Sequence, residues 1–139
     1  MKDGYTIVPI GVVDKQGDTI AVRIFDAFAE GLLGLDQHSH IILTTWFHKN
    51  DGSEKRQTLQ VHPRGDRNNP LTGVFATRSP VRPNLLALFV CKVLFIEGNR
   101  IFIDPIEAFD GSPVIDIKPY IPRIDVISEA TGPSWREKE

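Results

Sequence analysis

The apolar residues of this chain fall in short, β-branched runs, each closed by a turn signal, and that punctuation limits the fold more than any other feature. The runs are "YTIVPIGVV", "TIAVRIF", "HIILTTWF", "TLQVH", "GVFAT", "LLALFVCKVLFI", "RIFID" and "PVIDI". Between them stand "DKQGD", "KNDGSE", "EGN" and "DGSP", with Gly or Asn where a reversal needs positive φ. Many short strands at this spacing predict a mainly β protein whose antiparallel sheet closes into a barrel or sandwich. Ten prolines oppose a helical fold. Helix is expected for one or two turns at "DAFAEGLLGL", with Asp26 as the cap and Phe28, Leu32 and Leu35 at helical spacing.

At 139 residues one core is expected, in a domain over residues 1–124, followed by a polar tail over 125–139 that packs, if at all, through Trp135. A lone cysteine, Cys91, leaves no internal disulfide and no Cys-based zinc site, which fits a reducing cytoplasm. The start, "MKDGYTIVPIGVV", has neither the charge pattern of a signal peptide nor the length of a membrane span.

The net charge of −2 is unevenly spread. From Lys55 to Arg82 there are six basic residues and one acid, a net +5, which leaves −7 on the remainder. A basic segment on an acidic body attracts a polyanion locally, although a basic run can equally be a solvated loop.

Several familiar chemistries are missing. "GLLGL" lacks the strand–turn–helix context of a dinucleotide fingerprint, and there is no P-loop or nucleophile elbow. His38 and His40 in "QHSHI" share a strand face, but no third ligand stands at metal-site spacing, so no metal is expected. His48 and Lys49 mark the exit of a strand in "WFHKND", where binding groups are commonly mounted. "GVFATRSPVRPN" concentrates two arginines and two prolines behind a short apolar run, as a stiff site for an anionic ligand requires. In "EAFDGSPVIDIKPYIP", Asp110 offers an acceptor and Gly111 a close backbone approach.

Taken in order, "PIGVV", "GLLGLDQHSHIIL", "WFH", "HPRG", "GVFATRSPVRPN", "IEGN" and "DGSPVIDIKPYIP" resemble the TsaA-like (YaeB-like) family over roughly Tyr5 to Pro122. That resemblance implies a compact closed antiparallel β-barrel with one or two short helices, usually a homodimer with its cofactor site near the interface. It implies an S-adenosylmethionine-dependent methyltransferase acting on N6 of threonylcarbamoyladenosine, next to the anticodon of tRNA. It carries cofactor contacts to His48, Lys49, Arg78, Leu88, Phe109, Asp110, Gly111 and Ser112. Asp116, Lys118 and Tyr120 are the candidates for taking the acceptor proton. Lys55, Arg56, Arg64, Arg67 and Arg82 become the surface for tRNA phosphates. One departure is "LLALF", Leu85 to Phe89, where the family usually has Pro-Ile-Gly-Leu-Ser. The added bulk favours an alternative, a non-catalytic module that senses S-adenosylmethionine or another adenine ligand.

Overall fold

A tight turn at Gly17 and Asp18 joins β1 (Gly11–Gln16) to β2 (Thr19–Ile24), which pair antiparallel from Gly11–Ile24 to Gln16–Thr19. The computed structural model describes residues 3–135. Further along come β3 (His40–Trp46), β4 (Gln60–Val61), β5 (Thr72–Gly73), β6 (Leu86–Glu97), β7 (Arg100–Ile103) and β8 (Pro113–Pro119). Two short helices, α1 (Ser53–Gln57) and α2 (Pro122–Asp125), lie outside the sheet.

Six strands close into a barrel in the order β1-β2-β7-β6-β3-β8, every neighbouring pair antiparallel; β4 and β5 form a separate two-stranded ribbon. The expected closed barrel is therefore observed. Its interior follows from the period-2 alternation of strands. Val13, Val22, Ile41, Leu43, Ile101 and Val114 are fully buried, and Ile20, Ile24, Cys91 and Ile103 nearly so. Burying each such aliphatic side chain contributes about 1.5–3 kcal/mol. Burial pushes the Cys91 thiol up from 9.0 to about 11. At Gly11 the strands cross so closely that a Cβ would stand 2.3 Å from the Arg23 carbonyl oxygen.

Local departures from the sequence expectation have identifiable causes. "GVFAT" is a strand only at Thr72–Gly73; Val74–Ala76 then tightens into a 3-10 turn, because the Thr77 N–H and hydroxyl both return to the Val74 carbonyl, at 3.1 and 2.8 Å. "YTIVPI" joins no strand before Gly11. The segment after β2 forms 3-10 turns at Asp26–Leu32 and Leu35–Gln37. Phe25 occupies the cap position without a side-chain bond, while the Asp26 carboxylate accepts from the Asn99 amide at 3.1 Å. Beyond α2, Val126 and Ile127 are exposed and Trp135 is half-buried.

Candidate functional site

Where β3 ends and β6 and β8 begin, four segments surround a cavity of about 520 Å³. A 3-10 turn at His48–Asn50 prolongs β3, and the Phe47 N–H donates to the Leu85 carbonyl at 2.8 Å, holding that turn against the start of β6.

The loop after Thr77 supplies the second wall, and its stiffness comes from its own side chains. The Ser79 N–H donates to the Thr77 hydroxyl at 3.2 Å and the Val81 N–H to the Ser79 hydroxyl at 3.1 Å. Arg82 clamps the turn, one Nη donating to the carbonyls of Thr77 and Ser79 at 3.2 and 3.1 Å. Arg78, at the crest, is exposed and lines the cavity.

The third wall is the loop from Ile106 to Ser112, pinned to β1. The Gly111 N–H donates to Val13 O at 2.8 Å, and the Val13 N–H returns to Ser112 O at 2.9 Å. The Asp110 carboxylate accepts from the Lys15 N–H at 2.8 Å, and Lys15 Nζ reaches the Ile106 carbonyl at 3.1 Å. Gly111 takes φ of 81°, a conformation that glycine accepts without strain. So held, the loop presents Phe109, and Lys49 Nζ sits 4.0 Å from the centre of its ring.

The cavity thus brings together His48, Lys49, Arg78, Leu88, Phe109 and Ser112. Asp110 and Gly111 do not line it; they tie its wall to the barrel. Phe47, Asn50 and Glu107 line it as well and were not singled out from the sequence. Glu107 stands three residues before Asp110 in a stretch already marked, which was the available signal.

A second crevice, of about 800 Å³, adjoins the first and shares Thr77, Arg78, Pro80 and Glu107 with it. Its far side is the His62–Asn69 loop, which brings Arg64 and Arg67. His62 Nδ1 lies 2.9 Å from Asn69 O, and the Asn69 amide donates to Pro63 O at 2.9 Å. Arg64 has φ of 60°, the one positive φ outside glycine among the described residues. Such a backbone is held only by its surroundings and clusters at functional sites.

The five arginines and lysines expected to meet phosphates therefore divide. Arg64 and Arg67 line the crevice, whereas Arg56 braces α1: its Nε donates to Pro83 O at 2.8 Å and its guanidinium lies 5.2 Å from the Trp46 ring centre. Lys55 donates to the Asn50 side chain at 3.0 Å, and Arg82 is the loop clamp. Asp116, Lys118 and Tyr120 line neither cavity. Lys118 pairs with Asp116 on β8, Tyr120 stands beside His40, and Asp116 borders a separate hollow of about 570 Å³ with His38. Among the described residues no group of three His, Cys, Asp or Glu side chains is arranged to hold a metal. No helix among them is long and apolar enough to cross a membrane.

Residues 6–126 match the family model described as the tRNA-methyltransferase O N-terminal domain. The chain belongs to that family. The motif resemblance to the TsaA-like proteins thus holds over nearly the whole barrel. A TrmO-family relative, the probable S-adenosyl-L-methionine-binding protein of Methanocaldococcus jannaschii, is 52% identical over 87% of this chain and 96% of its own length. The human tRNA (adenine(37)-N6)-methyltransferase is 42% identical over 76% of this chain, but over only 23% of that protein. A crystal structure of TrmO from P. aeruginosa superimposes with a TM-score of 0.74 at 26% identity, covering 97% of this chain and 63% of that one. The chain accordingly spans less than two thirds of the solved TrmO chain.

Proposed function

We propose that this TrmO-family barrel binds S-adenosyl-L-methionine in the cavity lined by Arg78 and Phe109 and methylates N6 of an adenosine next to the anticodon of tRNA, most specifically a threonylcarbamoyladenosine. The observation that carries the reading is the meeting of Lys49, Arg78 and the Phe109 ring in one cavity that adjoins a basic crevice.

The residues fit the cofactor's chemistry. A volume near 520 Å³ falls within the roughly 300–1,000 Å³ usual for small-ligand sites. Arg78, on its clamped loop, suits a carboxylate through forked, charge-assisted bonds. Phe109 and Leu88 offer flat apolar surface to an adenine, and the His48–Asn50 turn offers polar groups beside it. Bound, the cofactor supplies an electrophilic methyl group on a sulfonium. Asp110 and Gly111 serve by holding the Phe109 loop to β1 rather than by lining the cavity. The crevice with Arg64 and Arg67 takes tRNA; Lys55, Arg56 and Arg82, which do not line it, are the further phosphate contacts of this reading.

The chain acts as a homodimer in this reading. Leu86, Leu88, Val90 and Leu94 are 42–51% exposed along β6, and the first two also line the cavity, so a partner seated on this face would finish the site. Residues 1–124 are the functional unit and 125–139 a polar tail. The cytoplasm, where tRNA is found, suits a chain whose one cysteine is a buried free thiol. The bulk of Leu86 and Leu88 supports a second reading, a sensor that holds the cofactor without transferring its methyl group.

Calorimetry with S-adenosyl-L-methionine, followed by a methyl-transfer assay on tRNA carrying threonylcarbamoyladenosine, separates the two. Binding with transfer is expected. Binding without transfer selects the sensor, and no binding ends both.

A further inference from the structure

We propose that Glu107 is the catalytic carboxylate that takes the proton from the acceptor nitrogen. This rests on the methyltransferase reading above and names the group which that reading leaves open.

The argument begins from position. The cavity assigned to the cofactor and the arginine-lined crevice assigned to the nucleic acid meet along a seam formed by Thr77, Arg78, Pro80 and Glu107. Methyl transfer needs the donor carbon and the acceptor nitrogen in contact and in line, so the reacting atoms belong at that seam. Two of its four members, Thr77 and Pro80, have no side chain able to act as a base near neutral pH. Arg78 keeps its proton. Among the described residues Glu107 is the one Asp or Glu that lines either cavity.

Glu107 is also available. Its side chain is exposed, and it forms no hydrogen bond or ion pair with a described residue. Its backbone is not free to wander, because Ala108 beside it is buried and the loop is tied to β1 on both sides. A carboxylate with no partner among the described residues, on a fixed loop facing a crevice with Arg64, Arg67 and Arg78, is what a proton acceptor for a bound nucleotide requires. Asp116, Lys118 and Tyr120 lack that access, since none lines either space.

The step balances without a further reactant. The N6–carbon bond forms as the carbon–sulfur bond breaks, and sulfur keeps the bonding pair. The proton leaving N6 goes to the Glu107 carboxylate and from there to water. A nitrogen that carries a carbonyl substituent is a weak nucleophile until that proton leaves.

The test uses the full chain with Glu107→Gln and Glu107→Ala. Calorimetry measures affinity for S-adenosyl-L-methionine, a filter assay measures affinity for acceptor tRNA, and single-turnover transfer gives the chemical rate. Both affinities and the thermal midpoint are expected to stay within about twofold and a few degrees of wild type. The rate is expected to fall 100- to 10,000-fold, the usual contribution of a general base. Added formate is expected to restore part of the rate in Glu107→Ala and none in Glu107→Gln, whose amide still fills the place. Wild-type transfer with an undiminished rate in Glu107→Gln overturns the assignment alone. So does a loss that appears in cofactor affinity rather than in rate. A wild-type chain that binds the cofactor and transfers nothing overturns the methyltransferase reading and this role together.

Discussion

Arg78 and Arg82 stand four residues apart and serve different purposes. Both border the cavity, but Arg82 is engaged with two carbonyls and fixes the loop, which leaves the Arg78 guanidinium to meet whatever enters. Arg78→Ala is therefore expected to weaken S-adenosyl-L-methionine binding by about 1.5–3 kcal/mol, roughly a 10- to 150-fold rise in Kd, with little change in melting temperature. Asp110→Ala should behave in the opposite way. Its carboxylate bonds the Lys15 N–H, so the change is expected to cost about 0.5–1.5 kcal/mol of folding stability in urea titration and to reduce affinity less than Arg78→Ala does. Were the two substitutions to swap effects, the assignment of Asp110 as a brace would fall.

At the scale of elements, β6 carries the most consequence. One face of it closes the barrel with Ala87 and Cys91; the other exposes Leu86, Leu88 and Val90, with Phe75 beside them. If the proposed dimer forms through that stripe, Leu88→Glu, which places a charge on it, is expected to shift the chain from dimer to monomer in sedimentation or light scattering, because charge buried at an interface is costly. Unchanged mass would remove β6 from the interface.

Strands such as β2 and β3 were readable from sequence because each is a short β-branched run closed by turn residues. The 3-10 turn at Val74–Ala76 was not readable, because the buried Thr77 hydroxyl bonds back to the Val74 carbonyl and redirects an apolar run that looks like a strand. Six of the eight expected cofactor contacts meet in one cavity because the motifs that named them contain the loops that build it. What motifs did not reveal was the direction of each side chain: Asp110 turns towards β1, Arg56 towards Pro83, and Glu107 lines both cavities.

For the molecule as a whole, the residues between β3 and β6 hold seven of the sixteen lysines and arginines and form walls of both cavities. Acceptor tRNA is expected to bind with a steep salt dependence. Arg67→Ala should lower the slope of log K against log salt by about 0.7–0.9, as one lost phosphate contact does. The core makes its own prediction. The Cys91 thiol is pushed up to about 11 in the folded chain from 9.0, so the unfolded chain loses its proton first as pH rises. Stability is then whole below pH 9 and declines towards pH 11, by about 2 kcal/mol. Denaturation curves across that range should show the decline in wild type and a shallower one in Cys91→Ala.

Closure of the six strands has a last consequence. Since each strand of the barrel has two neighbours from the same chain, a foreign peptide has little edge left on it to extend as a further strand. Copies that adhere through the exposed side chains of its wall can therefore be separated by a charge introduced on the outer surface, without loosening the backbone network beneath.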